Sequence, residues 1–302
     1  MPLEREGRIS SSFVKITIPT RRRRSAPTAA PARHGHCRCN VGNVWGMMLP
    51  VPRTLVFFHA HPDDEALLTA GTMARAAAEG NRVVLVTATS GEAGLADTRL
   101  QSAGLGQVRE GELRSAAAAL GVHRLELLHY ADSGLDGSQE SPPGSVTLCR
   151  ADPRQVAARL AAVLREEDAD VVVIYDESGG YGHPDHVRVH TTGLLAADLA
   201  ATPVVYAATA PREPFAWTAR TAQLLPLPER VDLRPFLTSF TPRRQITHRV
   251  DVRAHIDAKR SAMSAHASQA TGADVRTLGA LLRLPKPLFT ALLGTEYYRR
   301  LT

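Results

Sequence analysis

The chain has 302 residues, of which 44% are hydrophobic, and carries a formal net charge of +6. These values predict a globular protein, and no apolar run reaches the roughly 18 to 20 residues that span a bilayer, which argues against a membrane protein. Residues 1–47 alone carry a net charge of +7, which leaves −1 for residues 48–302. The basic character therefore does not indicate a nucleic-acid partner for the body of the chain. The three cysteines are too few and odd in number for a disulfide framework, so they predict a reducing compartment, the cytoplasm.

Residues 1–47 differ in composition from the rest of the chain. Four consecutive arginines at 21–24 precede an Ala- and Pro-rich stretch, and apolar periodicity is weak. This pattern is typical of a disordered basic leader. One alternative is a transit peptide, although two early glutamates weaken it, and another is that translation starts at Met47 or Met48 so that the leader is not made.

From residue 51 onward, short apolar runs alternate with amphipathic stretches. Continuous runs rich in β-branched residues are typical of strands covered on both faces, and apolar residues at helical spacing indicate helices. The predicted strands are 54–58, 82–87, 125–130, 171–175, 203–208 and 247–252, and the predicted helices are 65–79, 108–120, 153–167, 187–200 and 257–269.

This alternation predicts an α/β fold with a Rossmann-like, mainly parallel sheet covered by helices. We expect residues 48–302 to form one domain, with 210–302 as a smaller C-terminal extension of it. No Gly-x-Gly-x-x-Gly pattern follows the first strand, which argues against a nucleotide-binding function.

Two short motifs follow two of the predicted strands directly. His59-Ala60-His61-Pro62-Asp63-Asp64-Glu65 comes after strand 54–58, and Tyr181-Gly182-His183-Pro184-Asp185-His186 follows strand 171–175. A single His-Pro-Asp sequence is commonly only a turn, and an aspartate at a helix start is commonly only a cap. Two such motifs, each after a buried strand of one parallel sheet, instead predict a shared site at the carboxyl ends of the strands.

The spacing of the first motif suggests a metal site. His61 and Asp64 are three residues apart at a helix start, which can bring both side chains to one point, and His186 supplies a third donor. Two imidazoles and one carboxylate with an open position are typical of catalytic Zn²⁺, and they also suit Fe²⁺. Asp63 is left over, in a position to act as the general base for a hydrolytic water.

These two motifs resemble the signature of the PIG-L/LmbE-type metal-dependent de-N-acetylases, and the likeness covers roughly residues 51–270. The resemblance implies that His61, Asp64 and His186 bind zinc and that Asp63 is the general base. It further implies that His183 stabilises charge and assists the leaving amine, and that Asp185 supports His183 or a neighbouring histidine. Tyr181 would donate a hydrogen bond to the oxyanion. Arg99 and Asp132 would contact the sugar of the substrate.

The expected reaction is the zinc-dependent hydrolysis of the acetamide of an N-acetylglucosamine-containing substrate. An alternative is an amidase acting on a larger amide, such as a mycothiol-type conjugate, and a less favoured one is a non-catalytic sugar-binding protein. The segment with Lys259, His266 and Gln269 resembles a C-terminal pattern of the family. His266 either reaches the active site or has a purely structural role.

Overall fold

The computed structural model describes residues 52–93, 104–141, 143–222, 237–270 and 277–302. The basic leader at 1–47 and Arg99 lie outside these ranges. Within them, no helix has both the length and the apolar character that crossing a bilayer requires.

A seven-stranded sheet forms the centre of the structure. Its strands are β1 (Thr54–His59), β2 (Arg82–Thr89), β3 (Arg124–Tyr130), β4 (Val171–Tyr175), β5 (Val204–Thr209), β6 (His248–Asp251) and β7 (Thr295–Arg300). They lie in the order β3-β2-β1-β4-β5-β7-β6. The first five strands pair in parallel, while β7 is antiparallel to both β5 and β6. The predicted mainly parallel α/β sheet is confirmed.

Helices cover both faces of this sheet. They are α1 (Asp64–Leu68), α2 (Ala70–Ala78), α3 (Leu105–Ala119), α4 (Pro153–Glu166), α5 (Pro184–Ala200), α6 (Arg212–Ala222), α7 (Ile256–Ala265), α8 (Ala267–Ala270), α9 (Thr277–Leu282) and α10 (Lys286–Leu293). A single helical turn, Gly179–Gly182, precedes α5, and two 3-10 turns span Arg243–Gln245 and Arg253–His255.

Strand β1 shows why the central strands are apolar throughout. Phe57 faces a core formed with α2, α3 and α7, whereas Val56 and Phe58 face a second core formed with α4 and α5. All three side chains are fully buried. Because neighbouring residues of a strand point to opposite faces, a strand between two helix layers needs apolar residues at every position.

Two predicted helices are interrupted in the structure. The stretch predicted as one helix at 65–79 is divided at Thr69, whose hydroxyl lies 2.8 Å from His59 Nε2. The stretch predicted at 257–269 is divided at His266, whose side chain is fully buried. Both residues form side-chain contacts with the region around the first motif, and these contacts compete with continuous helix formation.

Strand β7 was not predicted. Its sequence, TEYYRR, contains three charged residues, and Glu296 and Tyr298 alternate into the interior. Glu296 is buried because Lys259 of α7 lies 2.6 Å away. A buried carboxylate is rare unless it is paired, and the pairing residue is far away in the sequence.

The topology brings the two motifs together. Strands β1 and β4 are hydrogen-bonded neighbours, and the strand order reverses between them, since β2 and β3 lie on one side and β5 on the other. Such a switch point leaves a crevice at the carboxyl ends of the two strands. The first motif begins at the end of β1 and the second follows β4, so both motifs lie at this crevice.

Candidate metal centre and active site

Four side chains of the two motifs are buried together. His61 and Asp64 come from the β1–α1 connection, and His183 and His186 from the start of α5. Their exposed fractions are 6%, 9%, 6% and 1%. The structure therefore brings the predicted residues of both motifs into one site.

Three donor atoms form a nearly equilateral triangle. His61 Nδ1 and His186 Nε2 each lie 3.3 Å from Asp64 Oδ2. The two nitrogens are 3.4 Å apart. Donor atoms about 2.0–2.1 Å from a tetrahedral zinc ion are about 3.3–3.4 Å from one another. The predicted ligand set thus has the spacing of three corners of a tetrahedral zinc site.

In each of the two imidazoles, the ring nitrogen outside the triangle forms a hydrogen bond, and this bond determines which nitrogen is available to a metal. His61 Nε2 lies 3.2 Å from Asp185 Oδ2, and His186 Nδ1 lies 3.2 Å from the carbonyl oxygen of Gly179. Carboxylate and carbonyl oxygens only accept, so these two ring nitrogens carry the protons. His61 Nδ1 and His186 Nε2 are then free to bind a metal, and the outer partners fix both rings.

Three carboxylates act on the charge of His61. Although burial lowers the pKa of His61, Asp132, Asp185 and Asp64 together raise it well above its usual value. Burial likewise opposes the ionised form of Asp64, but His186 and His61 hold its pKa well below the usual range. A cation bound by these residues would replace the proton on His61 Nδ1.

Asp132 and Asp185 lie on the outer side of His61. Asp185 Oδ2 also accepts the N–H of Ser133, and Cys149 Sγ lies 3.2 Å from Asp185 Oδ1. Asp132 Oδ1 is 3.6 Å from His61 Nε2, and the side chain is 4% exposed. His61 also belongs to two further groups with metal-ligand spacing, one with His183 and His186 and the other with Asp132 and Asp185.

Asp63, the predicted base, is held from two directions. Its Oδ1 lies 3.1 Å from Arg109 Nη2, and its N–H donates to Glu65 Oε2 at 2.9 Å. Burial raises the pKa of Asp63 to about 6, against the opposing effect of Arg109. Its φ angle of +106° is in the left-handed region, which is uncommon for a residue other than glycine and often marks a functional position.

His183 caps α5 with its side chain. His183 Nδ1 accepts the N–H of Asp185 at 3.2 Å, so the proton of the neutral ring is on Nε2. Burial, followed by the charges of His61 and His186, lowers the pKa of His183 to about 4. The geometry thus gives a neutral imidazole that can donate from Nε2.

Tyr181 lies at the open side of the cluster. Its ring centroid is 5.1 Å from that of His186 and 6.1 Å from that of His183, and 42% of the residue is exposed. Gly180 and Gly182, on either side of it, both have positive φ. Burial raises the pKa of the Tyr181 hydroxyl, so it remains a proton donor.

Three residues at the site were missed by the sequence analysis. Arg109 reaches Asp63 from α3, and Glu65 lies fully buried behind Asp63. Tyr175 stacks on His186 with ring centroids 4.2 Å apart and accepts the N–H of Ala60. Only Glu65, as part of the first motif, gave a signal in the sequence.

Comparison with known proteins identifies the family. The family profile described as "PIG-L: GlcNAc-PI de-N-acetylase" matches residues 56–197. A protein of Thermomonospora curvata, named 1D-myo-inositol 2-acetamido-2-deoxy-alpha-D-glucopyranoside deacetylase, is 37% identical over 278 residues, which cover 83% of this chain and 91% of the relative. The chain belongs to the PIG-L de-N-acetylase family. A Rhodococcus jostii protein with the same name is 39% identical over 271 residues, covering 82% and 90% of the two chains.

Solved structures of lower identity share the fold. The N,N'-diacetylchitobiose deacetylase from Pyrococcus horikoshii has a TM-score of 0.53 and 24% identity, covering 82% of this chain and 84% of that one. The 4-carboxy-2-hydroxymuconate hydratase GalB from Pseudomonas putida has a TM-score of 0.54 and 18% identity, covering 83% and 96%. Because the names describe two different reactions, the fold alone does not determine the chemistry. Membership of the PIG-L family confirms the predicted enzyme class, a de-N-acetylase.

Proposed function

We propose that this PIG-L family chain is a zinc-dependent deacetylase acting on 1D-myo-inositol 2-acetamido-2-deoxy-α-D-glucopyranoside, an N-acetylglucosamine-containing substrate. The observation that carries the proposal is the triangle of donor atoms from His61, Asp64 and His186, in a motif that also carries Asp63 next to Asp64. The substrate is inferred from the relatives in Thermomonospora curvata and Rhodococcus jostii, which bear this name and match over four fifths of the chain.

His61, Asp64 and His186 are the residues that would hold the metal. Zinc, when bound, supplies a Lewis acid that polarises the acetamide carbonyl and lowers the pKa of water to about 7. Two imidazoles and a carboxylate also suit Fe²⁺, so the native metal has to be measured. The burial of the three ligands and the fixed ring orientations support a preformed site.

Asp63 is proposed as the general base. Its carboxylate would take a proton from the attacking water, and the same proton would then pass to the nitrogen that leaves as the free amine. A carboxyl whose pKa is raised to about 6 suits both steps, because it is ionised at neutral pH and is a stronger base than an ordinary aspartate. Arg109 orients this carboxylate through Oδ1.

His183 and Tyr181 are proposed as donors to the carbonyl oxygen. Negative charge develops on this oxygen as water attacks, and donors placed around it stabilise the transition state. His183 offers the Nε2–H, because its Nδ1 is engaged by the N–H of Asp185, and Tyr181 offers a partly exposed hydroxyl. Asp185 would act by orienting His61 and supporting the turn that carries His183.

Arg99 and Asp132 are kept as proposed sugar contacts. Asp132 is supported by its position beside His61, where burial opposes ionisation but the nearby His61 imidazole lowers the pKa of the carboxyl to about 2. An ionised carboxylate at this depth can accept from sugar hydroxyl groups. Arg99 lies outside the described residues.

The proposed function is tested by acetate release from a panel of substrates. The panel contains the inositol glycoside, other N-acetylglucosaminides and mycothiol-type conjugates, and the purified protein and its Asp63→Asn variant are assayed with measured metal content. We expect the highest kcat/KM for the inositol glycoside, and a loss of about 10²–10⁴-fold in kcat for Asp63→Asn with metal retained. Faster cleavage of the mycothiol-type conjugates would support the amidase instead, and full turnover by Asp63→Asn would remove Asp63 from the mechanism.

The same proposal includes a cytoplasmic location and a small-molecule substrate, without a nucleic-acid or membrane partner. The three cysteines and the near-neutral charge of residues 48–302 support it. It also treats 48–302 as the catalytic domain. Deletion of residues 1–47 should then leave kcat and KM unchanged, and a loss of activity would show that the leader contributes.

A further inference from the structure

A buried ion pair lies directly behind Asp63. His266 Nε2 is 2.6 Å from Glu65 Oε1, and neither residue is exposed to solvent. Glu65 belongs to α1, whereas His266 lies between α7 and α8, 201 positions later in the sequence. Because the carboxylate only accepts, Nε2 is the protonated nitrogen. The C-terminal part of the chain therefore contributes one side chain to the region of the first motif.

The second oxygen of Glu65 contacts the backbone of Asp63. Glu65 Oε2 accepts the N–H of Asp63 at 2.9 Å, so a single carboxylate connects His266 with the residue that carries the base. Asp63 has φ +106°, a backbone conformation that is strained in a residue other than glycine. A conformation of this kind persists only where its surroundings hold it, and the Glu65 carboxylate is one such constraint.

His266 is itself fixed from the opposite side. Ser268, two residues later, donates from its N–H and its hydroxyl to Glu112 of α3, each at 2.7 Å. The same helix carries Arg109, which lies 3.1 Å from Asp63 Oδ1. Helix α3 therefore supports Asp63 twice, at its carboxylate through Arg109 and at its backbone through the segment that holds His266. Among the described residues, His266 Nδ1 has no hydrogen-bond partner, so the ring is directed to Glu65 alone.

A second buried ion pair, which involves helix α7, provides a contrast. Lys259 of α7 lies 2.6 Å from Glu296, and both side chains are almost fully buried. Glu296 accepts the N–H groups of Gly71 and Thr72 at the start of α2, and Lys259 also donates to the carbonyl of Leu67. None of these contacts involves Asp63. The Lys259–Glu296 pair joins helices and strand β7, whereas the Glu65–His266 pair contacts the backbone N–H of Asp63, the proposed base.

We propose that Glu65 and His266 form a positioning unit for Asp63, holding its strained backbone so that the carboxylate stays beside the metal ligands. The unit rests on the proposed function, since it assumes that Asp63 is the general base. It acts on catalysis through Asp63, because the His266 side chain is fully buried and its contact is with Glu65. Its removal should therefore lower kcat and leave substrate binding and metal content close to those of the parent protein.

The test compares His266→Leu, His266→Gln and Lys259→Met by kcat, KM, Tm and bound metal. A misplacement of about 1 Å can cost about 10²-fold in rate, so we expect kcat of His266→Leu to fall about 10- to 100-fold, with KM little changed. In His266→Gln the amide nitrogen can replace Nε2 as donor to Glu65, and most of the lost rate should return. Lys259→Met should lower Tm at least as much as His266→Leu without lowering kcat.

A double-mutant cycle with Asp63→Asn decides whether His266 acts through Asp63. If it does, Asp63→Asn/His266→Leu is no slower than Asp63→Asn alone, because residues that act as one unit are not additive. The positioning role would be overturned if the losses in kcat of the two single variants multiply in the double variant, or if His266→Leu keeps the parental kcat. Asp63→Asn with parental kcat would instead refute the proposed function. If His266→Leu does not fold, Glu65→Gln replaces it in the cycle, since its single amide oxygen cannot serve both donors.

Discussion

His61 Nε2 lies 3.2 Å from Asp185 Oδ2, while Nδ1 of the same ring lies 3.3 Å from Asp64 Oδ2. A histidine of the first motif is thus oriented by a carboxylate of the second. The first motif supplies His61 as a proposed metal ligand, and the second motif supplies the carboxylate that fixes the tautomer of its ring.

Replacing Asp185 with asparagine should weaken metal binding. The amide can no longer accept as a charged partner of His61 Nε2, and losses of such outer partners typically cost about 10- to 100-fold in metal affinity. Competition with a zinc chelator measures this. The control is Asp136→Asn, because Asp136 bonds Ser138 away from His61 and should leave affinity unchanged. Equal affinities for Asp185→Asn and the parent would contradict the orienting role.

Replacing Gly179 with alanine should disturb His186 more than it disturbs the fold. A Cβ at Gly179 would lie 2.9 Å from His186 Cβ and 2.8 Å from the backbone nitrogen of Val187. Gly80→Ala is the matched control, because Gly80 also has a positive φ but has nothing within 4 Å of the added carbon. Both variants should lose about 1–2 kcal/mol to backbone strain, and only Gly179→Ala should also lose zinc affinity. Urea denaturation and metal titration separate the two effects, and a Gly80→Ala protein that loses zinc equally would contradict this account.

Arg109→Leu should reduce kcat/KM by roughly 10-fold or more. Arg109 is buried against Asp63, so its loss leaves the carboxylate of the proposed base without this partner. Arg109 also donates to the carbonyl oxygens of Pro62 and Gly91, and each buried acceptor left unpaired costs about 1–3 kcal/mol in the free energy of unfolding. Arg114 on the same helix is 59% exposed and pairs with Glu110 at the surface. Surface pairs contribute about 0–1 kcal/mol, so Arg114→Leu should retain parental kcat/KM. Similar values of kcat/KM for the two variants would show that Arg109 does not support Asp63 in catalysis.

Lys259→Met should strongly reduce stability without reducing turnover per folded molecule. Removing one partner of a buried ion pair leaves the other charge buried, at a typical cost of about 3–5 kcal/mol in the free energy of unfolding. Lys286 pairs with Asp257 at the surface, where both side chains are largely exposed, so Lys286→Met should cost little. Equal denaturation midpoints for the two variants would show that the buried pair is energetically neutral.

Much of the fold followed from local sequence. The strand predicted at 171–175 is β4 with identical bounds, because a short apolar run rich in β-branched residues is typical of a strand covered on both faces. That the two motifs meet followed from topology, since parallel neighbouring strands bring their carboxyl ends together. Strand β7 could not be predicted, because its buried Glu296 depends on Lys259 from another element.

The support around Asp63 also lay beyond sequence reasoning. The predicted sugar contact Arg99 falls outside the described residues, whereas the arginine that reaches Asp63 is Arg109, which looks like an ordinary charged residue of a helix. The sequence left open whether His266 reaches the active site or is purely structural. That question depends on its contact with Glu65, which lies 201 positions earlier in the chain. Local patterns carry no information on such distant pairs, which only the packed fold brings together.

The most direct test of the account is the return of activity as zinc is added to chelator-treated protein. Acetate release from the inositol glycoside is measured at each step, in the parent and in His61→Ala. We expect no turnover without metal, and a rise that reaches its plateau at about one equivalent of zinc, the stoichiometry of a single tetrahedral site. The His61→Ala protein should show neither tight binding nor the rise. Turnover by metal-free parent protein, or parental activity in His61→Ala, would contradict the account.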